Sequence, residues 1–106
     1  MNEIDVARLH ALLGEDPTAT LVDVREADEY AGGHVPGAVS VPLSELVARA
    51  PEVLGLPTPV HLVCESGGRS AQAAGWLEAQ GVESVNVVGG TSAWRRAGLP
   101  VEVPGR

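Results

Sequence analysis

Apolar residues gather in short runs along the chain, and between these runs they recur at the three- and four-residue spacing of a helix. The strand-length runs cover residues 20–24, 37–42, 59–64 and 84–90. The helical segments predicted around them cover residues 5–14, 25–33, 44–50, 70–80 and 91–98. Because helices and strands alternate with short connections, the pattern predicts an α/β fold with a central, mostly parallel sheet and helices on both faces.

Capping residues predict where individual helices begin and end. We expect Asp5 to cap the first helix and Gly14 to end it. Ser44, followed by Glu45, predicts the start of a third helix that runs to about residue 50. The strands are rich in valine and show no clean alternation of apolar and polar residues, which predicts that both of their faces are buried.

Length and charge exclude several classes of function. At 106 residues the chain is predicted to form one domain, residues 1–106. Its 14 acidic residues outnumber 7 basic ones, all of them arginine, and the net charge of −7 argues against nucleic-acid binding. No apolar run approaches the roughly 18 residues of a membrane span, and the first residues lack the pattern of a signal peptide. We therefore expect a cytoplasmic protein with no membrane partner.

Cysteine and histidine content argues against a metal centre. Cys64 is the only cysteine, so the chain forms no internal disulfide and holds no C-x-x-C metal or redox pair. The histidines at positions 10, 34 and 61 do not have the spacing of metal ligands. The sequence therefore predicts neither a metal site nor a cofactor.

Cys64 stands at the end of an apolar strand and is followed by E-S-G-G-R-S, residues 65–70. In an open parallel sheet, ligands bind beyond the carboxyl ends of the strands. Gly67 and Gly68 allow positive φ, so successive backbone N–H groups can turn inward to form an anion site at the start of the next helix. Such a site lowers a thiol pKa from about 8.5 into a range of roughly 3.5–7.5. A lone intracellular cysteine is otherwise a small buried apolar residue, but this loop favours a nucleophile.

Three segments carry a family resemblance: D-V-R-E-A-D-E-Y-A-G-G-H-V-P-G-A-V-S-V-P (23–42), C-E-S-G-G-R-S (64–70) and G-G-T-S-A-W (89–94). The middle one resembles the active-site loop of the rhodanese (thiosulfate sulfurtransferase) family in its small single-domain form. The other two resemble that family's N-terminal and C-terminal motifs, in the same order along the chain. The resemblance implies a rhodanese-like fold over nearly the whole chain.

The resemblance also implies a reaction. The Cys64 thiolate attacks the outer sulfur of a sulfane donor, either thiosulfate, which releases sulfite, or a persulfide. The persulfide formed on Cys64 is then discharged by cyanide or by a thiol, including the thiol of a sulfur-accepting protein. The predicted binding residues are Glu65, Ser66, Gly67, Gly68, Arg69 and Ser70, whose backbone N–H groups would hold the terminal charge.

Three side chains of the loop each leave two interpretations open. Arg69 braces the loop through a salt bridge, attracts an anionic donor, or does both. Ser70 donates its hydroxyl hydrogen to the sulfur, caps the following helix, or does both. Glu65 raises the thiol pKa and repels a dianion such as thiosulfate, or it points to solvent. Repulsion by Glu65 predicts weak turnover with thiosulfate and better turnover with a less charged or differently shaped persulfide donor.

The residues of the first and third of these segments are predicted to have structural roles more than catalytic ones. Asp23 and Arg25 end a strand close to the site, where they can brace the catalytic loop. Glu29 is expected to pack or form a salt bridge on its short helix. His34 is expected to bond to the backbone of a turn, since an ionised thiolate needs no base, and Trp94 is expected to fill the core beneath the last helix.

Other functions remain open on the sequence alone. Phosphatases and arsenate reductases typically use a His-Cys pair and a longer spacer before the arginine. Here Val63 precedes Cys64 and 4 residues separate it from Arg69, which favours sulfur transfer. A sulfur relay between proteins would use the same Cys64 chemistry. A regulatory binding module is disfavoured because the loop keeps its cysteine, glycines and arginine.

Overall fold

A five-stranded, all-parallel sheet organises the chain in this computed structural model, which describes residues 2–104. The strands are β1 (Asn2–Ile4), β2 (Leu21–Asp23), β3 (Val39–Ser40), β4 (Val60–Val63) and β5 (Ser84–Val87). The helices are α1 (Val6–Glu15), α2 (Ala27–Ala31), α3 (Ala50–Leu54), α4 (Gly68–Ala79) and α5 (Gly90–Arg96). The strands lie in the order β1-β5-β4-β2-β3, so the predicted α/β class with a parallel sheet is confirmed.

Helices cover both faces of the sheet, as predicted. One face packs against α3 and α4, where Leu77 is fully buried, and the opposite face packs against α1 and α5, where Leu9 and Trp94 are buried. Leu62 and Val63 are consecutive in β4 and enter these two clusters separately, because successive side chains of a strand point to opposite faces. Every residue of β2, β4 and β5 is buried, which confirms the prediction drawn from their valine-rich runs.

The amino-terminal part departs from the prediction in two ways. Helix α1 continues through Gly14 and ends before Pro17, which follows the C-cap residue and has no N–H to continue the helix. Strand β1, which pairs in parallel with β5, was not predicted. It has only 3 residues at the edge of the sheet, 2 of them exposed, so it carries no apolar periodicity.

The prediction of a helix from Ser44 to about residue 50 was wrong. A 3₁₀ turn (Leu43–Glu45) occupies the first part, and α3 begins only at Ala50. Pro51 lies in the first turn of α3, where its missing N–H has no helical partner to lose. Within a continuous helix starting at residue 44, the same proline would remove a hydrogen bond and collide with the preceding turn.

The sheet order places the carboxyl ends of β4 and β5 side by side. The turns that follow these two strands, residues 64–67 and 88–89, therefore meet at one edge, each leading into the first turn of a helix. Within residues 2–104, no helix combines the length and the apolar character needed to cross a membrane.

Candidate active site

The sulfur of Cys64 lies beneath the turn that joins β4 to α4. Cys64 follows the last residue of β4 and is 1% exposed. Gly67 caps α4 with a φ of 113°, a left-handed conformation that glycine adopts without a Cβ collision. This conformation directs the Gly67 N–H to the sulfur, with an N···Sγ distance of 3.1 Å, while the hydroxyl oxygen of Ser70 lies 3.3 Å from the same atom.

These donors favour the thiolate. Burial raises the pKa of the Cys64 thiol, but hydrogen bonds from the Ser70 hydroxyl and from the backbone N–H groups of Ser70, Gly67 and Ser66 together outweigh it. The net effect is a pKa below that of an ordinary cysteine. Of the loop N–H groups predicted to face the sulfur, that of Gly67 lies at hydrogen-bond distance, and the binding of substrate by the loop stays a prediction.

Ser70 does not cap the helix. Helix α4 begins at Gly68, two residues earlier than predicted, and Gly67 holds the cap position. Ser70 is thus the third residue of α4, fully buried, with its hydroxyl directed into the site. The N-cap interpretation was wrong because the Gly-Gly turn already reverses the chain, and the geometry agrees with the alternative of a hydroxyl donor beside the sulfur.

Arg69 pairs with Glu29 on α2. Its two terminal nitrogens lie 2.7 and 2.9 Å from the two carboxylate oxygens of Glu29. The hydrogen bonds from Arg69 lower the Glu29 pKa to about 2. The salt-bridge interpretations of Arg69 and of Glu29 are therefore confirmed, and this bidentate pair ties the first turn of α4 to α2.

The Glu65 side chain is 41% exposed, in agreement with the solvent-facing interpretation, and it also pairs with Arg25, which was not predicted. Arg25 is 1% exposed and binds the Asp23 carboxylate at 2.9 Å. It also donates to the carbonyl of Gly33 at 2.8 Å and to Glu65 Oε1 at 3.2 Å. The predicted bracing role of Asp23 and Arg25 is confirmed. The Glu65 carboxylate stays partly accessible, and the adjacent guanidinium offsets its charge.

The turn after β5 fixes the carbonyl groups of the sulfur loop. The Thr91 N–H donates to Cys64 O at 2.9 Å, and the Ser92 N–H donates to Glu65 O at 3.0 Å. The Thr91 hydroxyl adds a second bond to Cys64 O at 3.1 Å. Gly90 permits this approach, since a Cβ there would lie 2.5 Å from Cys64 O. Because these carbonyls are held toward α5, the loop can present its N–H groups to the sulfur.

Asn86 belongs to the site although the sequence analysis missed it. It lies in β5, is 3% exposed, and its Oδ1 lies 2.6 Å from the Ser70 hydroxyl oxygen. A signal for it exists in the sequence, since a polar amide interrupts the valine-rich run S-V-N-V-V. A polar side chain in a strand buried on both faces must find hydrogen-bond partners inside the protein.

Two residues predicted to be structural are confirmed as such. The His34 ring bonds through Nδ1 to the carbonyl of Tyr30 at 3.2 Å and stacks on the Tyr30 ring. Trp94 is 1% exposed and donates its indole N–H to Pro100 O at 2.7 Å. Over residues 2–104, no group of three or more His, Cys, Asp or Glu side chains is arranged to hold a metal ion.

A family model, curated proteins and solved structures all relate this chain to rhodanese-like proteins. The family model described as rhodanese-like domain matches residues 5–97. A protein named "Sulfurtransferase" from Allochromatium vinosum is 38% identical over 105 residues, covering 98% of this chain and 97% of its own length. The "Putative sulfur carrier protein YrkF" of Bacillus subtilis is 38% identical over 93 residues, which cover 87% of this chain and 50% of YrkF. The crystal structure of a rhodanese-related protein from Thermoplasma volcanium superposes with a TM-score of 0.87 at 30% identity, covering 97% of this chain and 99% of that one.

Proposed function

This chain belongs to the rhodanese-like family, and we propose that it transfers sulfane sulfur through a persulfide on Cys64. Its relatives make it a rhodanese-like sulfurtransferase or sulfur carrier. The observation that carries the proposal is the position of the one cysteine sulfur under a turn whose N–H groups, together with the Ser70 hydroxyl, lower its pKa. A thiolate in this position is a nucleophile, and its surroundings suit a second, larger anion built on the same sulfur.

The reaction consists of two displacements. In the first, the Cys64 thiolate attacks the outer sulfur of a sulfane donor, the Sγ–S bond forms, and the donor's S–S bond breaks. The electron pair leaves on sulfite when the donor is thiosulfate, or on a thiolate when the donor is a persulfide. In the second displacement, cyanide or a thiol attacks the outer sulfur and returns Cys64 to the thiolate. The turn that holds the thiolate also holds the charged outer sulfur, in the manner of an oxyanion hole.

Two features of the site favour a terminal sulfur over a tetrahedral oxyanion. The phosphatase or arsenate reductase alternative needs the loop arginine to bind the oxyanion, but here the Glu29 carboxylate takes two of the Arg69 N–H groups and offsets its charge. Cys64 is also 1% exposed, which suits a substrate that reaches it through a single protruding atom. A phosphorus or arsenic atom enclosed by oxygens has no such approach.

The charges around the loop support a persulfide donor rather than thiosulfate. Both arginines near the sulfur are paired: Arg25 binds Asp23 and Glu65, and Arg69 binds Glu29. Three carboxylates thus oppose two guanidinium groups, so the site offers no excess positive charge to a dianion. A persulfide donor, with one charge on its sulfur, experiences less repulsion than thiosulfate.

Transfer to a protein thiol is the second candidate function. The similarity to a protein named as a sulfur carrier favours it, although the matched region is half of that protein. A relay of this kind uses the same Cys64 persulfide and differs only in the acceptor. A persulfide that is stable toward small thiols and is discharged by a protein thiol would distinguish the relay from an enzyme acting on small molecules.

Intact mass spectrometry tests the proposal directly. We expect the wild-type protein to gain one sulfur atom, about 32 mass units, after brief incubation with glutathione persulfide, and to gain it more slowly with thiosulfate. Cyanide should remove the added mass. Cys64→Ser should gain nothing, and because Cys64 is the only cysteine, this variant controls for every thiol in the chain. The absence of a gain with both donors would contradict sulfur transfer.

Substitution of Glu65 tests the donor preference. Glu65→Gln removes one negative charge beside the sulfur and retains an oxygen that can accept the Arg25 hydrogen bond at 3.2 Å. We expect the thiosulfate kcat/KM to rise several-fold, because one unit charge at this range contributes on the order of 1 kcal/mol at a partly exposed site. Glu52→Gln, an equal charge change on the exposed Arg49 pair, is the control. An unchanged kcat/KM for thiosulfate in Glu65→Gln would show that this carboxylate does not select the donor.

A further inference from the structure

The hydroxyl of Ser70 lies between the sulfur and an amide that the sulfur-transfer reaction leaves unexplained. Its oxygen is 2.6 Å from Asn86 Oδ1 and 3.3 Å from Cys64 Sγ, and the Gly67 carbonyl oxygen is a third acceptor at 3.2 Å. Cys64, Ser70 and Asn86 are 1%, 0% and 3% exposed, so all three groups are shielded from bulk solvent. A hydroxyl has one hydrogen to donate, and an amide oxygen only accepts.

The surroundings of Asn86 fix which end of the amide faces Ser70. Its Nδ2 lies 3.4 Å from Glu3 Oε2 on β1 and 3.4 Å from the carbonyl oxygen of Gly67. Both of these atoms are acceptors, so the NH₂ group belongs on their side. The reversed amide would place Oδ1 against a carboxylate and a carbonyl, which is repulsive. Oδ1 therefore faces Ser70 and can only accept a hydrogen bond from its hydroxyl.

We propose that Asn86 is a positioning residue that competes with the sulfur of Cys64 for the hydroxyl hydrogen of Ser70. When Cys64 is a thiol, its S–H can donate to the Ser70 oxygen while Ser70 donates to Asn86, so every group is satisfied. When Cys64 is a thiolate, the Ser70 hydrogen turns to the sulfur and Asn86 Oδ1 loses its donor. A buried acceptor without a donor is costly, so Asn86 opposes the full stabilisation of the thiolate.

The same competition bears on the sulfur-transfer cycle, and this step rests on the proposed function. When the Cys64 thiolate takes sulfur from a persulfide donor, the Sγ–S bond forms and the donor's S–S bond breaks with its electron pair on the departing thiolate. The negative charge moves from Sγ to the outer sulfur. Sγ no longer needs the Ser70 hydrogen, which returns to Asn86. Asn86 therefore favours the sulfur-loaded state over the empty thiolate.

The charged groups around the site come from every element packed against it. They are Asp23 and Arg25 at the end of β2, Glu26 and Glu29 at the start of α2, Glu3 on β1, Glu65 in the loop and Arg69 on α4. Substitution at position 70 or 86 leaves these charges in place, and although substitution of Asn86 removes its hydrogen bond to Glu3, that loss is the same with and without the Ser70 hydroxyl. A comparison of variants with and without the Ser70 hydroxyl therefore separates the hydrogen-bond competition from the common electrostatic background.

Ultraviolet titration of the thiolate provides the test, because the absorbance of the single cysteine reports Cys64 alone. We expect Asn86→Leu and Asn86→Ala to lower the titration midpoint by about half a unit to one unit, the equivalent of one hydrogen bond. Ser70→Ala should raise the midpoint. In the Ser70→Ala background, substitution of Asn86 should shift nothing. Ser84→Ala removes another buried hydroxyl from β5, bound only to Val82 O in the fold, and should leave the midpoint unchanged.

Two results would overturn the proposal. A higher midpoint in Asn86→Leu and Asn86→Ala would mean that Asn86 supports the thiolate. An equal shift with and without the Ser70 hydroxyl would mean that Asn86 acts through packing alone. The titration needs no sulfur donor, so it stands whether or not the protein transfers sulfur. Loading with glutathione persulfide, expected to fall about three- to ten-fold at equilibrium in Asn86→Leu, tests the link to the cycle separately.

Discussion

Two strand-to-helix turns of this protein share the sequence G-G-x-S and perform different tasks. The first, residues 67–70, joins β4 to α4, and the second, residues 89–92, joins β5 to α5. In each, the first glycine is a left-handed N-cap, with φ of 113° at Gly67 and 83° at Gly89. In each, the N–H groups that follow the strand are free to bind an acceptor at the helix start.

The acceptor distinguishes the two turns. The first receives the sulfur of Cys64, the residue that directly follows its own strand β4. The second receives two backbone carbonyls of the first turn, those of Cys64 and Glu65. The same anion-binding geometry thus holds the candidate nucleophile in the first turn and fixes the backbone of the neighbouring loop in the second. The second turn is why the first can present N–H groups instead of carbonyls to the sulfur.

The largest expected difference in stability between the two turns comes from the second glycine of each, Gly68 and Gly90. Gly90 has a φ of 60°, and a Cβ there would lie 2.5 Å from Cys64 O and 2.6 Å from Glu65 O. Gly68, its counterpart, is helical and a Cβ there would meet nothing within 4 Å. We expect Gly90→Ala to lower the free energy of unfolding by about 2–5 kcal/mol through backbone strain and overlap. Gly68→Ala should leave it unchanged or raise it by up to about 1 kcal/mol.

Urea unfolding of both variants measures this difference. Equal stability of Gly90→Ala and Gly68→Ala would show that the second turn does not constrain the first. Sulfur loading of Gly90→Ala, measured under conditions where the variant is folded, should also fall, because the carbonyls of residues 64 and 65 would have to move.

The next largest effect comes from the first glycine of the sulfur turn, Gly67. Its substitution should change sulfur-transfer activity more than stability. Gly67→Ala places a side chain at a φ of 113° but meets no atom closer than 3.5 Å, so we expect a cost of about 1–2 kcal/mol. Sulfur loading should fall at least about ten-fold, because relief of the strain rotates the Gly67 N–H away from the sulfur. Gly98→Ala is the matched control, since Gly98 is also left-handed, with a φ of 73° and open space around it.

The control separates backbone strain from the loss of the N–H donor. Gly98→Ala should lose similar stability and keep its sulfur-transfer rate. If Gly67→Ala kept wild-type loading, the Gly67 N–H would have no part in binding the sulfur, whatever its distance in the resting protein.

The contrast between the turns also shows which features were predictable. Cys64 and the glycines beside it were identified because a strand, a thiol and a Gly-Gly turn are adjacent in the sequence. The β-α alternation was read correctly for the same reason, since each element carries its own local pattern. Gly90, by contrast, is required because of its distance from Cys64 O, which is set by the pairing of β4 with β5.

For side chains that pair over long distances in the sequence, sequence reasoning could predict the kind of contact but not the partner residue. Arg69 was expected to brace the loop or bind a donor, and the choice depended on where α2 packs relative to α4. Glu65 was expected to face either the sulfur or solvent, but Arg25 crosses from the end of β2 to bind it. Asn86 was missed because its partner, Ser70, lies 16 positions away in the chain. Such pairings are set by tertiary packing, and no local pattern encodes them.

The smallest expected effect concerns the position at which the two G-G-x-S segments differ, Arg69 in the first and Thr91 in the second. Arg69 lowers the Glu29 pKa to about 2, so the pair stabilises the folded state above the ordinary glutamate pKa of about 4.3. This stability is lost as the pH falls through the folded-state value. Both side chains are about one-third exposed, with 37% for Arg69 and 31% for Glu29, so solvent screening limits the contribution to about 1 kcal/mol at most.

Urea unfolding of the wild type and Glu29→Gln across the acid range tests this contribution. At neutral pH the variant should be less stable by up to about 1 kcal/mol, and the difference should shrink between about pH 4 and pH 2 as Glu29 takes up its proton. Gln retains an oxygen that can accept the N–H of Glu26, now bound at 3.0 Å, so the comparison isolates the ion pair. A difference that persisted undiminished at pH 2 would mean that Glu29 holds the loop by packing, and that the charge of Arg69 is incidental to the first turn.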